Sequence, residues 1–96
     1  MVFGEHFEWD EDKEVSNLSR HRVSFMEAVA AFADPARVIS PDVAHSQKEP
    51  RWYCVGRLND AILTVRFTER DGRVRIIGAG FWRKGKRIYE TQNSIR

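Results

Sequence analysis

Arginine side chains recur at alternate positions on two stretches of the sequence that are typical of the strands of one hairpin. Arg66 lies on the first stretch and Arg73 and Arg75 on the second, near a polar loop that holds His45. Guanidinium groups bind phosphate through two parallel hydrogen bonds, so three of them on one sheet face would form a phosphate-binding surface. Arginine is also common on the solvent face of an antiparallel sheet, and the spacing leaves both interpretations open.

A second basic segment, "RKGKR", covers residues 83–87. We expect it to begin a short C-terminal helix, in which Arg83 and Arg87 share one face because they are four residues apart. The aromatic residues Trp82 and Tyr89 flank this segment, and basic side chains beside stacking surfaces are typical of single-stranded nucleic-acid sites. The alternative is that the aromatic rings belong to the core and the basic side chains are solvated.

The distribution of charge also distinguishes the last third of the chain. Residues 1–65 carry 7 Lys/Arg and 11 Asp/Glu, a net charge of −4, whereas residues 66–96 carry 9 and 3, a net charge of +6. This asymmetry indicates either an anionic partner for the C-terminal third or an ordinary charged surface.

Several kinds of chemical site are missing from the sequence. The three histidines, His6, His21 and His45, are scattered, and no Cys/His pair has the spacing of metal ligands. The chain has no P-loop, no G-x-G-x-x-G and no serine nucleophile elbow, so we expect no cofactor and no metal. The single cysteine, Cys54, excludes an internal disulfide and is interpreted as a small buried residue. Together with the lack of a long apolar run or a signal-peptide pattern, it favours a cytoplasmic protein.

The elements that must position these side chains begin with helices. Phe3–Trp9 is aromatic-rich and is interpreted as an edge strand. A helix is predicted over Glu11–His21, because acidic residues fill its first turn and its apolar residues have helical spacing. Ser24 and Glu27 form the S-x-x-E capping box of a second helix, which we expect to end at Asp34–Pro35.

The second half of the sequence predicts strands. Asp71-Gly72 is a strong signal for a two-residue hairpin turn. A polar loop bracketed by prolines, Pro41–Pro50, separates the first short strand from the others. The predicted strands are Arg37–Ser40, Arg51–Arg57, Ala61–Glu69 and Arg73–Ala79. The 96 residues, of which 42% are hydrophobic, fit one globular domain over residues 1–96.

Four segments of the chain together resemble the BrnT family of toxin–antitoxin systems. They are "FEWDEDKEVSNLSRHRVSFMEAVAAFADP", "HSQKEPRWYCVGR", "LTVRFTER" and "RVRIIGAGFWRKGKRIYE", which span residues 7–90. The resemblance implies an α+β fold like that of the RelE-type ribonuclease toxins. In that fold two N-terminal helices pack on a small, mostly antiparallel sheet, here followed by a short C-terminal helix.

The resemblance also implies a function and partners. It implies a bacterial toxin that cleaves RNA, most naturally mRNA, and thereby inhibits translation. It further implies a BrnA-type antitoxin, a ribbon-helix-helix protein that neutralises the toxin and through which alone the toxin would contact DNA. The chain departs from the family in one strand, where Gly78 and Gly80 stand in place of a serine and an arginine. A catalytically weak or inactive module that binds the antitoxin or nucleic acid is therefore the alternative function.

RNA cleavage without a metal needs a base for the 2′-OH, cations for the phosphorane and an acid for the leaving oxygen. The candidate catalytic residues are Glu69, Arg70, Arg75, Arg83, Lys84, Tyr89 and His45. The candidate RNA-binding residues are Arg51, Arg66, Arg73, Trp82, Lys86 and Arg87. In this hypothesis Lys84 adds a point charge, and Tyr89 is an acid or a stacking group.

The base and the phosphate clamp have specific candidates. Glu69 or His45 would accept the proton, and Arg70, Arg75 and Arg83 would hold the phosphate. Both candidate bases also have a simpler interpretation. Glu69 would be a surface charge paired with Arg70, and His45 would be a loop histidine without a catalytic role.

Overall fold

The computed structural model describes residues 2–3 and 6–94. The first helix, α1, spans Glu11–His21, as predicted. It begins there because the Asp10 side chain accepts hydrogen bonds from the backbone N–H groups of Asp12 (2.8 Å) and Lys13 (3.2 Å). It ends at Arg22, which adopts a left-handed conformation with φ of 62°.

The second helix, α2, spans Phe25–Ala33. The predicted capping box is present, since Glu27 N–H donates to Ser24 Oγ and Ser24 N–H donates to the Glu27 carboxylate, both at 3.0 Å. The helix stops at Asp34, before Pro35, because the residue that precedes a proline disfavours the helical region.

Six strands form one sheet in the order β1-β2-β6-β5-β4-β3. They are β1 (Val2–Phe3), β2 (Phe7–Trp9), β3 (Val38–Pro41), β4 (Trp52–Leu58), β5 (Ala61–Arg70) and β6 (Arg73–Gly80). The predicted N-terminal edge strand is thus two strands, and β2 lies inside the sheet; part of the predicted range falls outside the described residues. Because β2 runs parallel to β6, the sheet is mixed, which corrects the expectation of a mostly antiparallel sheet.

The hairpin between β5 and β6 turns at Asp71 and Gly72, whose φ angles are 53° and 78°. Two successive positive φ angles are the signature of the tight hairpin turn that the Asp-Gly pair predicts. Farther along, the register shifts, since Phe67 pairs with Ile76 but Arg66 pairs with Gly78. Ile77 is the extra residue of a β-bulge in β6.

The chain ends in a third helix, α3, at Arg83–Gln92, and a short 3₁₀ helix at Val43–His45 lies within the predicted polar loop. No helix among residues 6–94 is long and apolar enough to cross a membrane.

The core lies between α2 and one face of the sheet. Its buried members include Trp9, Phe25, Leu63, Val65 and Ile76. Helix α1 contributes no side chain to the core and lies beside β6, where the Asn17 amide bonds to the backbone N–H and oxygen of Ala79. Cys54 also belongs to this core, and burial raises the pKa of its thiol to about 12, so it is a packing residue, as predicted. The other face of the sheet, opposite α2, carries the polar side chains described next.

Candidate functional site

Four arginines lie on the face of the sheet that points away from α2. Val65 and Phe67 of β5 belong to the core, so the alternating residues between and after them point to the opposite side. Thr68 pairs with Arg75 and Arg70 pairs with Arg73, which places the β6 arginines on the same side. We call this set, Arg66, Arg70, Arg73 and Arg75, the arginine face; its shared orientation is the one that the alternation predicts.

A buried aspartate, Asp42, links the 42–51 loop to the arginine face. Only 3% of its surface is exposed, and His45 Nδ1 lies 2.9 Å and 3.0 Å from its two carboxylate oxygens. Arg66 Nε lies 3.8 Å from Oδ2 of the same carboxylate. Burial, together with the charge of Asp42 and a hydrogen bond to it, raises the pKa of the Tyr53 hydroxyl. These four residues, Asp42, His45, Tyr53 and Arg66, are called the Asp42 cluster.

Several hydrogen bonds hold the 42–51 loop in place, so the Asp42 cluster has a defined position. Ser46 Oγ donates to the backbone oxygen of Asp42 at 2.7 Å and accepts from Arg51 N–H at 3.0 Å. Thr68 Oγ1 donates to the backbone oxygen of Pro50 at 2.6 Å. These bonds join both ends of the loop to each other and to β5.

Two of the predicted phosphate-binding arginines are engaged in ion pairs. Arg70 contacts both oxygens of Glu49 at 3.1–3.3 Å, and this pairing lowers the pKa of Glu49 despite some opposing desolvation. Arg75 Nη1 donates to Glu8 Oε2 at 2.7 Å, between neighbouring strands. Arg70 therefore holds the loop through Glu49, and Arg75 neutralises a buried carboxylate.

The guanidinium groups of Arg66 and Arg51 retain unused hydrogen-bonding capacity. Both side chains are 29% exposed. Within the part of the chain that the structure describes, the buried Nε–H of each has no hydrogen-bond partner. Each also lies near a carboxylate, Arg51 Nη2 at 3.6 Å from Glu49 and Arg66 Nε at 3.8 Å from Asp42. These contacts are longer than those of Arg70 and Arg75. Because their ion pairs are looser, the partly exposed guanidinium groups of Arg51 and Arg66 are the more available to an anion.

The start of α3 covers one end of the same sheet face. Trp82 precedes the helix and packs on Gly80, where a Cβ atom would lie 2.6 Å from two of its ring carbons. The ring also contacts His21 edge-on, with 5.3 Å between ring centroids. The indole thus fills the space that a side chain at position 80 would need. A Cβ atom added at Gly78 would make only an ordinary van der Waals contact, at 3.7 Å from Asn17 Oδ1.

Tyr89 lies apart from the arginine face and is buried. Its hydroxyl donates to Asp34 Oδ2 at 2.7 Å, which raises the pKa of the phenol, and the Arg57 guanidinium lies 5.8 Å from its ring centroid. Asp34 also accepts from the backbone N–H groups of Ala36 and Arg57 at 2.8 Å and 2.9 Å. Asp34, Arg57 and Tyr89 form the Asp34 cluster, which anchors α3.

The remaining predicted residues are dispersed. Glu69 lies on the core side of β5 beside Phe67, so the sheet separates it from the arginine face. The basic residues of α3, Arg83, Lys84, Lys86 and Arg87, are exposed. Of these, Lys84 borders a pocket on the same sheet face as Tyr53.

Sequence reasoning missed Asp42, Tyr53 and Glu8 as members of the site. A carboxylate three residues before a histidine was the available signal for Asp42, since i and i+3 residues meet in a helical turn. No three His, Cys, Asp or Glu side chains converge as a metal site anywhere in the described ranges.

Comparison with known families adds one finding. The family model described as "Ribonuclease toxin, BrnT, of type II toxin-antitoxin system" matches residues 9–85. The match covers most of the chain and includes both the arginine face and the Asp42 cluster. No curated protein matches the chain.

Proposed function

The chain belongs to the BrnT family of ribonuclease toxins of type II toxin–antitoxin systems, and we propose that it cleaves RNA at the Asp42 cluster without a metal ion. The observation that carries this assignment is the shared contact of His45 and Arg66 with one buried carboxylate. A proton-transfer group and a phosphate-binding group are thereby held beside each other. Such an arrangement suits general acid–base catalysis next to a clamped phosphate.

In the proposed reaction the 2′-oxygen of the RNA attacks the adjacent phosphorus. Its proton passes to His45, and because Nδ1 is engaged by Asp42, the transfer uses Nε2. Arg66 and Arg51 stabilise the additional negative charge of the phosphorane. The P–O5′ bond then breaks, and the departing oxygen takes a proton from a donor on the same face. Tyr53, whose hydroxyl belongs to the Asp42 cluster, is the candidate donor. The products are a 2′,3′-cyclic phosphate and a free 5′-hydroxyl.

The other predicted site residues receive supporting roles in this proposal. Arg70 positions the 42–51 loop through Glu49, Arg75 neutralises Glu8 between β2 and β6, and Arg73 adds positive charge along β6. Trp82 offers a stacking surface, and Lys84 adds charge at its edge. Tyr89 and Glu69 are left outside the mechanism because their side chains lie elsewhere.

The proposed cellular role follows the family. A type II system includes a protein antitoxin, and we propose a BrnA-type ribbon-helix-helix protein that neutralises this chain. Cleavage of mRNA in the cytoplasm would inhibit translation. The chain order, in which α1 and α2 precede four of the six strands, supports a relationship to RelE-type toxins.

A binding module without chemistry is the second candidate. The observation in its favour is that Trp82 fills the space that a side chain at position 80 would need. The family resemblance places an arginine at that position. On this view the arginine face binds RNA or the antitoxin and leaves the RNA intact.

Incubation of the purified chain with RNA in the presence of EDTA tests the assignment. We expect cleavage to persist and to leave 2′,3′-cyclic phosphate ends, because every proposed reacting group is a side chain. Growth arrest on expression should be relieved by the product of the neighbouring antitoxin gene. Cleavage that stops in EDTA and returns with Mg²⁺ would contradict the mechanism. RNA that is bound but never cut would favour the binding module.

A further inference from the structure

A pocket of about 240 Å³ lies between α3 and the sheet, next to the Asp42 cluster. Its walls are formed mainly by the side chains of Tyr53, Val55, Thr64, Trp82, Lys84 and Ile88. The proposed function uses Tyr53, Trp82 and Lys84 from this set but not the pocket itself. Most of the lining is apolar or aromatic, and its polar groups are few, as in pockets that bind planar organic ligands.

Thr64 gives the pocket an unsatisfied polar group. The residue is only 4% exposed, and its buried hydroxyl has no hydrogen-bond partner among the residues that the structure describes. Gly85 of α3 lies directly against this hydroxyl, since a side chain at that position would collide with it. Because the Gly85 backbone covers this hydroxyl, a ligand in the pocket can bond to it only if α3 shifts away from β5.

The positive groups around the pocket indicate what kind of ligand fits. Tyr53 pairs with Arg66 across β4 and β5, so one end of the pocket borders the proposed phosphate clamp. On the other side of Trp82 lies a second cleft, of about 180 Å³, bordered by Lys13, Arg20 and Arg66. An apolar slot between cationic groups matches the chemistry of a nucleotide chain, in which flat bases alternate with phosphates.

We propose that this pocket binds one nucleobase of the RNA, with its ring against Trp82 and its polar edge toward the hydroxyl of Tyr53. The inference rests on the proposed function only in taking RNA as the ligand. An apolar peptide side chain would fill the volume but would leave the cationic groups that border it, Lys84 and Arg66, without an anion. The pocket is therefore a base-selecting subsite beside the scissile phosphate.

Nucleoside 3′-monophosphates test the proposal without any need for cleavage. Each of the four is titrated into the isotope-labelled protein, with ribose 5-phosphate as the base-free comparison. We expect at least one nucleotide to bind about tenfold or more tightly than ribose 5-phosphate, as stacking on an aromatic side chain supplies. The Trp82 indole N–H and the Thr64 amide should shift during that titration.

The variant Val55→Phe fills the pocket and should reduce the affinity of the preferred nucleotide to that of ribose 5-phosphate. The matched control Val15→Phe places the same substitution on α1, where the side chain is 68% exposed, and should leave all affinities unchanged. If Val55→Phe does not give a native amide spectrum, Trp82→Leu replaces it, because it keeps apolar bulk but removes the aromatic face.

The outcomes separate this inference from the proposed function. Selective nucleotide binding in the pocket, in a protein that does not cut RNA, would support the base site and contradict the ribonuclease mechanism. Equal affinity for all four nucleotides and ribose 5-phosphate would overturn the base site even if RNA is cleaved. Shifts confined to surfaces outside the pocket would also overturn it.

Discussion

Two clusters in this chain are built from the same three residue types, an aspartate, a tyrosine and an arginine. One consists of Asp34, Arg57 and Tyr89, and the other contains Asp42, Tyr53 and Arg66. In the first, the tyrosine hydroxyl and two backbone N–H groups donate to the carboxylate at 2.7–2.9 Å. In the second, the arginine lies 3.8 Å from the carboxylate, and its buried Nε–H has no hydrogen-bond partner in the described part of the chain.

The difference lies in how completely the polar groups are satisfied. A saturated cluster gains nothing from a ligand, so the Asp34 cluster serves to fasten α3 to the end of α2 and the start of the β4–β5 turn. An unsaturated cluster beside an open sheet face is stabilised by an anion that completes its hydrogen bonds. Residue type therefore does not distinguish an anchor from a site, whereas unused hydrogen-bonding capacity does.

The largest expected effect comes from exchanging the arginine in each cluster. We expect Arg66→Gln to reduce RNA cleavage by about 10²- to 10³-fold, because it removes a charged donor to the phosphorane. Arg57→Gln makes the same substitution in the Asp34 cluster and should leave cleavage nearly unchanged. Initial rates of cleavage at saturating RNA measure both. Equal losses in the two variants would abolish the functional distinction between the clusters.

A smaller but still large effect is expected from His45, which only the Asp42 cluster contains. His45→Gln should reduce cleavage by about 10²-fold and remove the limb of the pH–rate profile that reports the general base. His6→Gln, at an exposed histidine before β2, is the matched control. A rate reduced at all pH values with an unaltered profile would show that His45 positions the loop and does not transfer the proton.

Local signals in the sequence predicted the elements that carry both clusters. The side chains of Asp10 and Ser24 fixed the starts of α1 and α2, because an N-cap depends on residues within one turn. The Asp71-Gly72 turn fixed the β5–β6 hairpin, and strict alternation then placed the arginines on one face. These features are encoded by residues a few positions apart.

Side-chain partners that are distant in the sequence could not be predicted in the same way. Tyr89 and Asp34 are 55 residues apart, and Arg75 and Glu8 are 67 apart. The first pair depends on where α3 packs, and the second on β2 lying parallel beside β6, neither of which a local pattern reveals. Without this information the sequence suggests that Tyr89 is a catalytic acid, whereas its hydroxyl donates to Asp34. It also suggests that Glu69 is a neighbour of the arginines, which lie on the opposite face of the sheet.

The smallest expected effect tests whether the Asp34 cluster stabilises the fold. Tyr89→Phe removes one hydrogen bond to a charged group and should lower the free energy of unfolding by about 1.5–3 kcal/mol at pH 7, without affecting RNA cleavage. Burial alone would raise the pKa of Asp34, but the hydrogen bonds from Tyr89, Ala36 and Arg57 outweigh it and lower the pKa below its ordinary value of 3.8.

A carboxyl group with a lowered pKa in the folded state stabilises the protein above its unfolded pKa and loses that contribution as the pH falls through the folded value. Without the Tyr89 hydroxyl the lowering is weaker, so less stability is lost on acidification. The difference in free energy of unfolding between wild type and Tyr89→Phe, measured by urea denaturation, should therefore decrease as the pH falls from 5 to about 3. A difference that stays constant over this range would mean that the hydroxyl acts through packing, and that the Asp34 cluster is not held together by charge.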